Sequence, residues 1–420
     1  MIAECRIATK NVGLINPESI DDYLASGGYE ALKKALQQTP EEIVFAIAKS
    51  GLRGRGGAGF SSGMKIKFTS EATCQLLECM RFIVCNADEG EPGTFKDRII
   101  MEGNPHIYIE GMLIAAYAVS AEKGYIYIRG EYTKSIEMTR LALAQARARG
   151  FLGSDILGSG YSLDIELKIG AGSYLCGEEL TLLESLEGKR GYPRIKPPYP
   201  AEKGLFGLPT LINNVETLAH IPAIITHGVD WYARLGSKKS PGTKIFTLSG
   251  DVALPGYVEV EMGVTLRELI DQFGGGVSGG KKFKAALLGG AAGTFVPESY
   301  LDVRMDYDTL KAKDAVLGSG AVIVMATDRS IREMLNSILR FFQHESCGKC
   351  VPCRVGTQQL LILLEQINTA CRDKEKAFAE MLRQSEIMAK TSLCPLGQSP
   401  ILAVKSALTH FSHELYVEMR

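Results

Sequence analysis

At 420 residues, with 45% hydrophobic and 23% charged residues, the chain is long enough for two or three domains and has the composition of an ordinary globular protein. Lys plus Arg (47) nearly balances Asp plus Glu (48), and the basic clusters at Lys238-Lys239 and Lys281-Lys282 are isolated, so nucleic-acid binding has no electrostatic support. The most apolar stretch, Ile107 to Ser120, is broken by Glu110 and falls short of the roughly 20 apolar residues a membrane span needs; the opening Met-Ile-Ala-Glu-Cys-Arg has no signal-peptide layout. A cytoplasmic chain is expected, with no direct membrane insertion and any membrane association made through partners.

In chain order, Thr39-Pro40-Glu41-Glu42 reads as a capping box that opens a helix ending at Gly51. Six glycines fall in the thirteen residues Gly51 to Gly63. Gly54, Gly56 and Gly59 spell G-x-G-x-x-G, but a helix precedes them where a dinucleotide fingerprint demands a strand, so a standard Rossmann site is not expected. The loop still lets backbone amides line a concavity, with Lys65 as a point charge for a phosphate, and Arg53, Arg55, Phe60 and Phe68 favour a nucleotide or flavin cradle over a plain surface loop. A strand at Arg81 to Cys85 then ends in Asn86-Ala-Asp88-Glu-Gly-Glu91, a polar turn at the strand end where open α/β sheets bind ligands. An Asx-rich turn accounts for part of that polarity.

Helices at 105–119 and 134–148 alternate with strands at 125–128 and 163–169, which predicts a three-layer α/β domain. Gly177-Glu178-Glu179 sets two carboxylates at a helix start, where the helix dipole alone is a competing explanation. A proline-rich loop, 192–209, precedes a helix at 214–227. From Thr243 to Thr327 short strands at 245–248, 257–260, 285–288 and 322–325 surround one helix at 266–273, which reads as a β-grasp-like α+β module. Beyond Arg329 only helical periodicity remains, at 331–343, 355–371, 375–388 and 400–417, which predicts a bundle.

Cys347, Cys350 and Cys353 recur at three-residue spacing, with Cys394-Pro395 about forty residues on, the ligand pattern of a cubane iron–sulfur cluster. Zinc is the alternative, although zinc sites usually pair C-x₂-C units. The other six cysteines, Cys5, Cys74, Cys79, Cys85, Cys176 and Cys371, lack ligand spacing and read mostly as small buried hydrophobes.

Taken in order, Gly51 to Lys65, Asn86 to Phe95, Gly177-Glu-Glu179, Gly188 to Pro200, Pro209 to Thr217 and the four cysteines resemble the NADH-binding flavoprotein (51-kDa-type) subunits of respiratory complex I, NAD-linked hydrogenases and formate dehydrogenases. The resemblance implies an α/β FMN-binding domain (1–238), a small ubiquitin-like β-grasp domain (239–328) and a C-terminal four-helix bundle carrying a [4Fe-4S] cluster (329–420). It implies that Gly54, Gly56, Lys65, Asn86, Asp88, Gly177, Glu178, Asn213 and Asn214 hold FMN, and that Phe60, Phe68, Glu91, Glu179, Lys196 and Tyr199 face NADH. Hydride would pass from NADH to FMN and electrons singly through the cluster, with no side chain required as acid or base. A thioredoxin-like [2Fe-2S] subunit and a further iron–sulfur subunit are the expected partners. Respiratory, hydrogenase-type and bifurcating complexes all fit, as does a non-catalytic scaffold.

Overall fold

The computed structural model describes residues 2–73, 80–368 and 374–416. Cys74, Cys79 and Cys371 lie outside these residues, as does the end of the helix expected at 355–371. Strands β1 (Phe82–Ala87), β2 (Lys123–Arg129), β3 (Asp164–Gly170) and β4 (Thr210–Asn214) form a parallel sheet in the order β3-β2-β1-β4. From β1 the chain winds outward through β2 and β3, then crosses back to place β4 on the other side. The sheet therefore has a topological switch point between β1 and β4, and their carboxyl ends meet in register, Cys85 beside Asn213 and Asn86 beside Asn214. A crevice at that point is where an open parallel sheet takes a ligand.

Helix Pro105–Ala118 runs beneath the sheet, buried around its whole circumference except at Tyr117. Gly111 lets it meet helix Val215–His227 closely, since a Cβ there would fall 1.9 Å from the Leu218 carbonyl oxygen. Glu110, the charge that interrupts this apolar run, is buried, and its carboxylate accepts from Tyr23 Oη at 2.5 Å and from the amides of Tyr29 and Leu32 at 3.0 Å. The capping box at Thr39 and Glu42 forms as expected. β4 went unanticipated because five residues directly after a proline-rich loop give too little periodicity to separate a buried strand from the start of the next helix.

A two-stranded ribbon, β5 (Gly236–Ser237) and β6 (Ser240–Pro241), leads into a mixed sheet of β7 (Thr243–Gly250), β8 (Gly256–Glu261), β9 (Phe283–Leu288), β10 (Thr294–Pro297) and β11 (Ala321–Ala326). Their order is β10-β9-β11-β7-β8, with β11 parallel to β7 and the other neighbours antiparallel. The extreme N-terminus crosses onto this sheet. Cys5 donates its amide to the Glu259 carbonyl, and the buried Glu259 carboxylate accepts from the amides of Ile7, Ala8 and Thr9 at 2.8–3.0 Å. Sequence alone gave no sign of this clasp.

Helices Ile331–Glu345, Val351–Asn368, Lys374–Thr391 and Pro400–Tyr416 close the chain, each packed on two of the others around Leu335, Phe342, Leu360, Met381 and Val404. Phe295 and Leu287 of the mixed sheet join the same core. Among the described residues no helix is long and apolar enough to cross a membrane.

Candidate functional site

The glycine loop folds back on itself, with the Gly54 amide donating to the Phe60 carbonyl at 2.7 Å. Gly59 has φ +63° and rests against the Tyr307 ring, where a Cβ would come within 2.6 Å. Gly56 lies over the Asn214 side chain, 3.0 Å from a notional Cβ, so the loop roofs the β4 side of the crevice. The loop's arginines serve a different end from the one their setting suggested. Arg53 pairs with Asp308 at 2.7 Å and lies over the Tyr307 ring. Arg55 is fully buried and donates to the Pro241 carbonyl at 2.6 Å. Arg53 thereby ties the loop to helix Tyr307–Lys311 and Arg55 ties it to strand β6.

The Asn213 side chain is buried at the end of β4, and its Nδ2 has no hydrogen-bond partner. A buried amide with no acceptor is an uncommon cost in a native fold. The carbonyl and hydroxyl oxygens of a flavin or its ribityl phosphate would satisfy it, so the residues present fit that group. Asn214 differs: its carboxamide donates to Asp97 at 2.6 Å and accepts from Lys96 at 3.0 Å and from the Glu216 amide. It caps helix Val215–His227, and its second N–H is directed at the Asn86 carbonyl at 3.5 Å.

Across the switch point, Asn86 donates to the Gly177 carbonyl at 2.8 Å, joining the polar turn after β1 to the short turn Tyr174–Gly177. Glu89 caps helix Lys96–Gly103 through the amides of Asp97 and Arg98. Burial pushes the Asp88 carboxyl up to about 7, with Arg129 opposing and Glu131 and Glu345 adding to the rise. A carboxyl whose folded pKa lies above its unfolded one takes up protons on folding, so its contribution is favourable below about pH 4 and is lost as pH climbs toward 7. Asp88→Asn is thus expected to stabilise the flavin-free protein by about 1–3 kcal/mol at roughly pH 8 and to change little at roughly pH 4, as read by thermal melts.

Glu91 reaches between units. It accepts from Tyr174 Oη at 2.5 Å and from the Ala292 amide at 2.7 Å, and burial raises its pKa against those bonds. The paired carboxylates at 178 and 179 divide their labour. Glu178 is the N-cap of helix Glu179–Leu186, accepting from Leu180 and Thr181, as the helix-start explanation anticipated. Glu179 instead lies between Lys65 at 2.9 Å and Lys196 at 2.8 Å, and Lys196 also reaches Glu178 at 2.9 Å. Burial works to raise its pKa, but the two lysines outweigh it and hold it down to about 2. Lys65 sits in the first turn of helix Ser62–Glu71, which packs on β4 and on helix Pro200–Lys203. Phe60, Phe68 and Tyr199 on these adjoining elements are 49%, 47% and 54% exposed, rings left open to solvent where a planar ligand has something to stack on.

The four cysteines enter from two loops. Cys347 and Cys350 lie ahead of and at the start of helix Val351–Asn368, Cys353 in its first turn, and Cys394 at the N-cap of helix Pro395–Gln398. All four border one core. Gly397 has no room for a side chain, since a Cβ would lie 2.8 Å from Cys353 Cβ, and this brings the Cys394 loop onto Cys353. Ser346 Oγ lies 3.2 Å from Cys353 Sγ. Burial pushes the Cys394 thiol up to about 11, with the Leu396 and Gly397 amides opposing and Cys353 and Glu178 reinforcing. Among the described residues no three His, Cys, Asp or Glu side chains gather closely enough to hold a single metal ion; the four thiols border one core at the sequence spacing of an iron–sulfur cluster, which would replace their protons. Among the other cysteines, Cys85 and Cys176 are buried as expected, and Cys5 is half-buried.

One turn links crevice and cysteines. Leu175 belongs to the cysteine core, Tyr174 meets Phe341 edge-on at 4.9 Å, and the Tyr174 amide donates to Glu345 at 3.0 Å. Residues 47–223 match the Nuo51 FMN-binding domain, 245–293 the SLBB domain, and 333–417 the NADH-ubiquinone oxidoreductase-F iron–sulfur binding region. Over 413 residues the chain is 46% identical to the NADP-reducing hydrogenase subunit HndC of Solidesulfovibrio fructosivorans, covering 98% of this chain and 83% of the relative. It is 45% identical to an NADH-quinone oxidoreductase subunit of Rhizobium meliloti, covering 97% of this chain and 96% of the relative. The chain belongs to this family of FMN-binding oxidoreductase subunits. A solved structure of an NAD⁺-reducing [NiFe]-hydrogenase in the H₂-reduced state superposes with a TM-score of 0.85 at 34% identity, covering all of this chain and 68% of that one. The FMN-binding domain, SLBB domain and iron–sulfur region follow in the order that the sequence motifs implied. Residues that sequence reasoning missed are those joining them. Tyr174, Glu345, Lys96 and Glu216 fell within segments singled out in the sequence but were given no role there, and Lys244 fell in none; the fold buries Lys96, Glu216 and Lys244.

Proposed function

We propose that this chain accepts hydride from NADH at the switch-point crevice and passes electrons one at a time to partner subunits through its four-cysteine site. The observation that carries this reading is the turn Tyr174–Gly177, which touches Asn86 at the crevice and packs Leu175 into the cysteine core. Bound FMN converts a two-electron hydride into single electrons, and a [4Fe-4S] cluster carries them onward.

The protein's own contribution is placement. Gly54, Gly56 and Gly177 allow close backbone approach, while Lys65, Asn86, Asp88 and Asn213 offer polar groups to the flavin. Glu178 and Asn214 hold their turns in shape through helix caps. Phe60, Phe68 and Tyr199 supply faces for the nucleotide's rings, Glu179 and Lys196 address its ribose or phosphates, and Glu91 closes the nicotinamide end against Tyr174. Cys347, Cys350, Cys353 and Cys394 hold the cluster. The strand order β10-β9-β11-β7-β8, with a parallel central pair, supports reading 239–328 as a ubiquitin-like β-grasp domain, and the four packed helices support a bundle over 329–420.

Partners carrying a thioredoxin-like [2Fe-2S] centre and a further iron–sulfur subunit would complete the route, in the cytoplasm. A second reading reverses the direction, with NAD(P)⁺ reduced at the crevice, and the hydrogenase subunits among the relatives favour it. Anaerobic titration of cluster-loaded protein tests the assignment. Flavin bleaching by NADH is expected, with a low-temperature EPR signal from the reduced cluster then or after a stronger reductant. A bound flavin that neither NADH nor NADPH bleaches would point to a scaffold instead.

A further inference from the structure

Lys244, at the start of β7, is fully buried, and its ammonium joins the glycine loop to the turn after β4, the two pieces that frame the β4 side of the crevice. Its Nζ donates to Glu216 Oε2 at 2.6 Å and to the Arg55 carbonyl at 3.3 Å. Arg55 sits between Gly54 and Gly56 in the glycine loop, and Glu216 lies two residues beyond Asn214. The next residue on the strand, Ile245, donates its amide to the other Glu216 oxygen at 2.9 Å, so the SLBB domain grips both oxygens of one carboxylate. Lys96, also buried, approaches Glu216 at 3.1 Å and donates to Asn214 Oδ1 at 3.0 Å and Asp97 at 2.7 Å. The fold leaves a slot for the lysine chain at Gly320, where a Cβ would fall 2.9 Å from Lys244 Cε.

A buried ion pair is a poor means of stabilising a seam, because apolar side chains of similar volume usually do as well or better. What such a pair supplies is a fixed geometry. We propose that Lys244 is a positioning residue for the flavin: from the SLBB domain it locks the glycine loop to the Asn213-Asn214 turn and so sets the width of the crevice. The inference rests on reading that crevice as the FMN site. The network also holds Lys96 and Lys244 against the carboxylates of Asp97 and Glu216, with the Arg55 guanidinium alongside donating to Tyr232 Oη and the Pro241 carbonyl, and His220 kept neutral by burial. Deleting one cation from a dry region beside the crevice disfavours an electron-rich ligand.

The test uses full-length protein stripped of flavin and titrated with FMN by fluorescence quenching, then reloaded for a redox titration. Lys244→Met is expected to weaken FMN binding about tenfold and to lower the flavin midpoint potential, a shift that a merely less stable fold would not produce. Asn213→Ala is the companion variant and is expected to weaken FMN binding on its own. A folded Lys244→Met protein with parental affinity and potential overturns the inference, provided Asn213→Ala is impaired. FMN binding unchanged in both overturns the reading of the crevice and the inference with it. Should Lys244→Met fail to fold because Glu216 has lost a partner, Lys244→Met/Glu216→Gln removes both charges at no net change, so its readout is FMN affinity alone, and parental affinity there overturns the inference.

Discussion

Replacing Cys394 with serine is expected to deplete the cluster and spare the flavin. Cys394 is delivered from a loop about forty residues from the other three cysteines in sequence, and Gly397 is what allows that loop to lie on Cys353. A serine hydroxyl gives up its proton far less readily than a thiol and is a weaker ligand to iron, so Cys394→Ser should reduce iron and acid-labile sulfide about tenfold and remove or alter the low-temperature EPR signal. Bleaching of the flavin by NADH should persist, since Cys394 contributes nothing to the switch point. Cys176→Ser serves as the control: Cys176 is buried with Phe82, Val84 and Tyr127 in a separate apolar cluster, and its replacement should leave iron content unchanged. A parental EPR signal in Cys394→Ser would mean that another side chain supplies the fourth ligand. An equal loss of iron in both variants would point instead to general damage.

The cysteines were legible because ligand spacing is a local property that survives without the fold. The glycine loop was legible for the same reason, but only half of its content was. Its glycines do bring backbone close to Asn214, whereas Arg53 and Arg55 turn toward Asp308 and Pro241, residues some two hundred positions away. Sequence proximity to a loop says nothing about which side of it an arginine serves. The acidic pair shows the same limit. Glu178 and Glu179 are adjacent at a helix start and share Lys196, and only the fold shows that Glu178 caps the helix while Glu179 also pairs with Lys65. Strands with clear apolar runs were found, while β4 and β10, of five and four residues, were too short to carry a period. Lys96 and Glu216 were noticed only as members of their segments and Lys244 not at all, because a charged residue normally reads as solvated surface and their mutual burial comes from the fold.

Glu179→Gln is expected to raise the KM for NADH about tenfold while flavin content stays at the parental level. The carboxylate is clamped by two ammonium groups and held down to about 2, so it is ionised throughout the usable pH range. Its depressed pKa contributes stability above the normal carboxylate range that is lost only as pH falls toward 2. The deficit in the glutamine variant should therefore be the same at about pH 6 and about pH 9, which separates it from an effect exerted through Asp88, whose carboxyl titrates near 7. Glutamine keeps one acceptor for Lys65 or Lys196, but Lys65 loses its counter-charge while Lys196 keeps only Glu178. An additional phosphate on the nucleotide would meet less repulsion there, so discrimination against NADPH should narrow even as NADH binding weakens. Steady-state dye reduction with both nucleotides, beside acid-released flavin fluorescence, reads each part. Loss of flavin in this variant would move Glu179 from the nucleotide side of the crevice to the flavin side, because Lys65, its partner at 2.9 Å, would then have been set free from the group that places it.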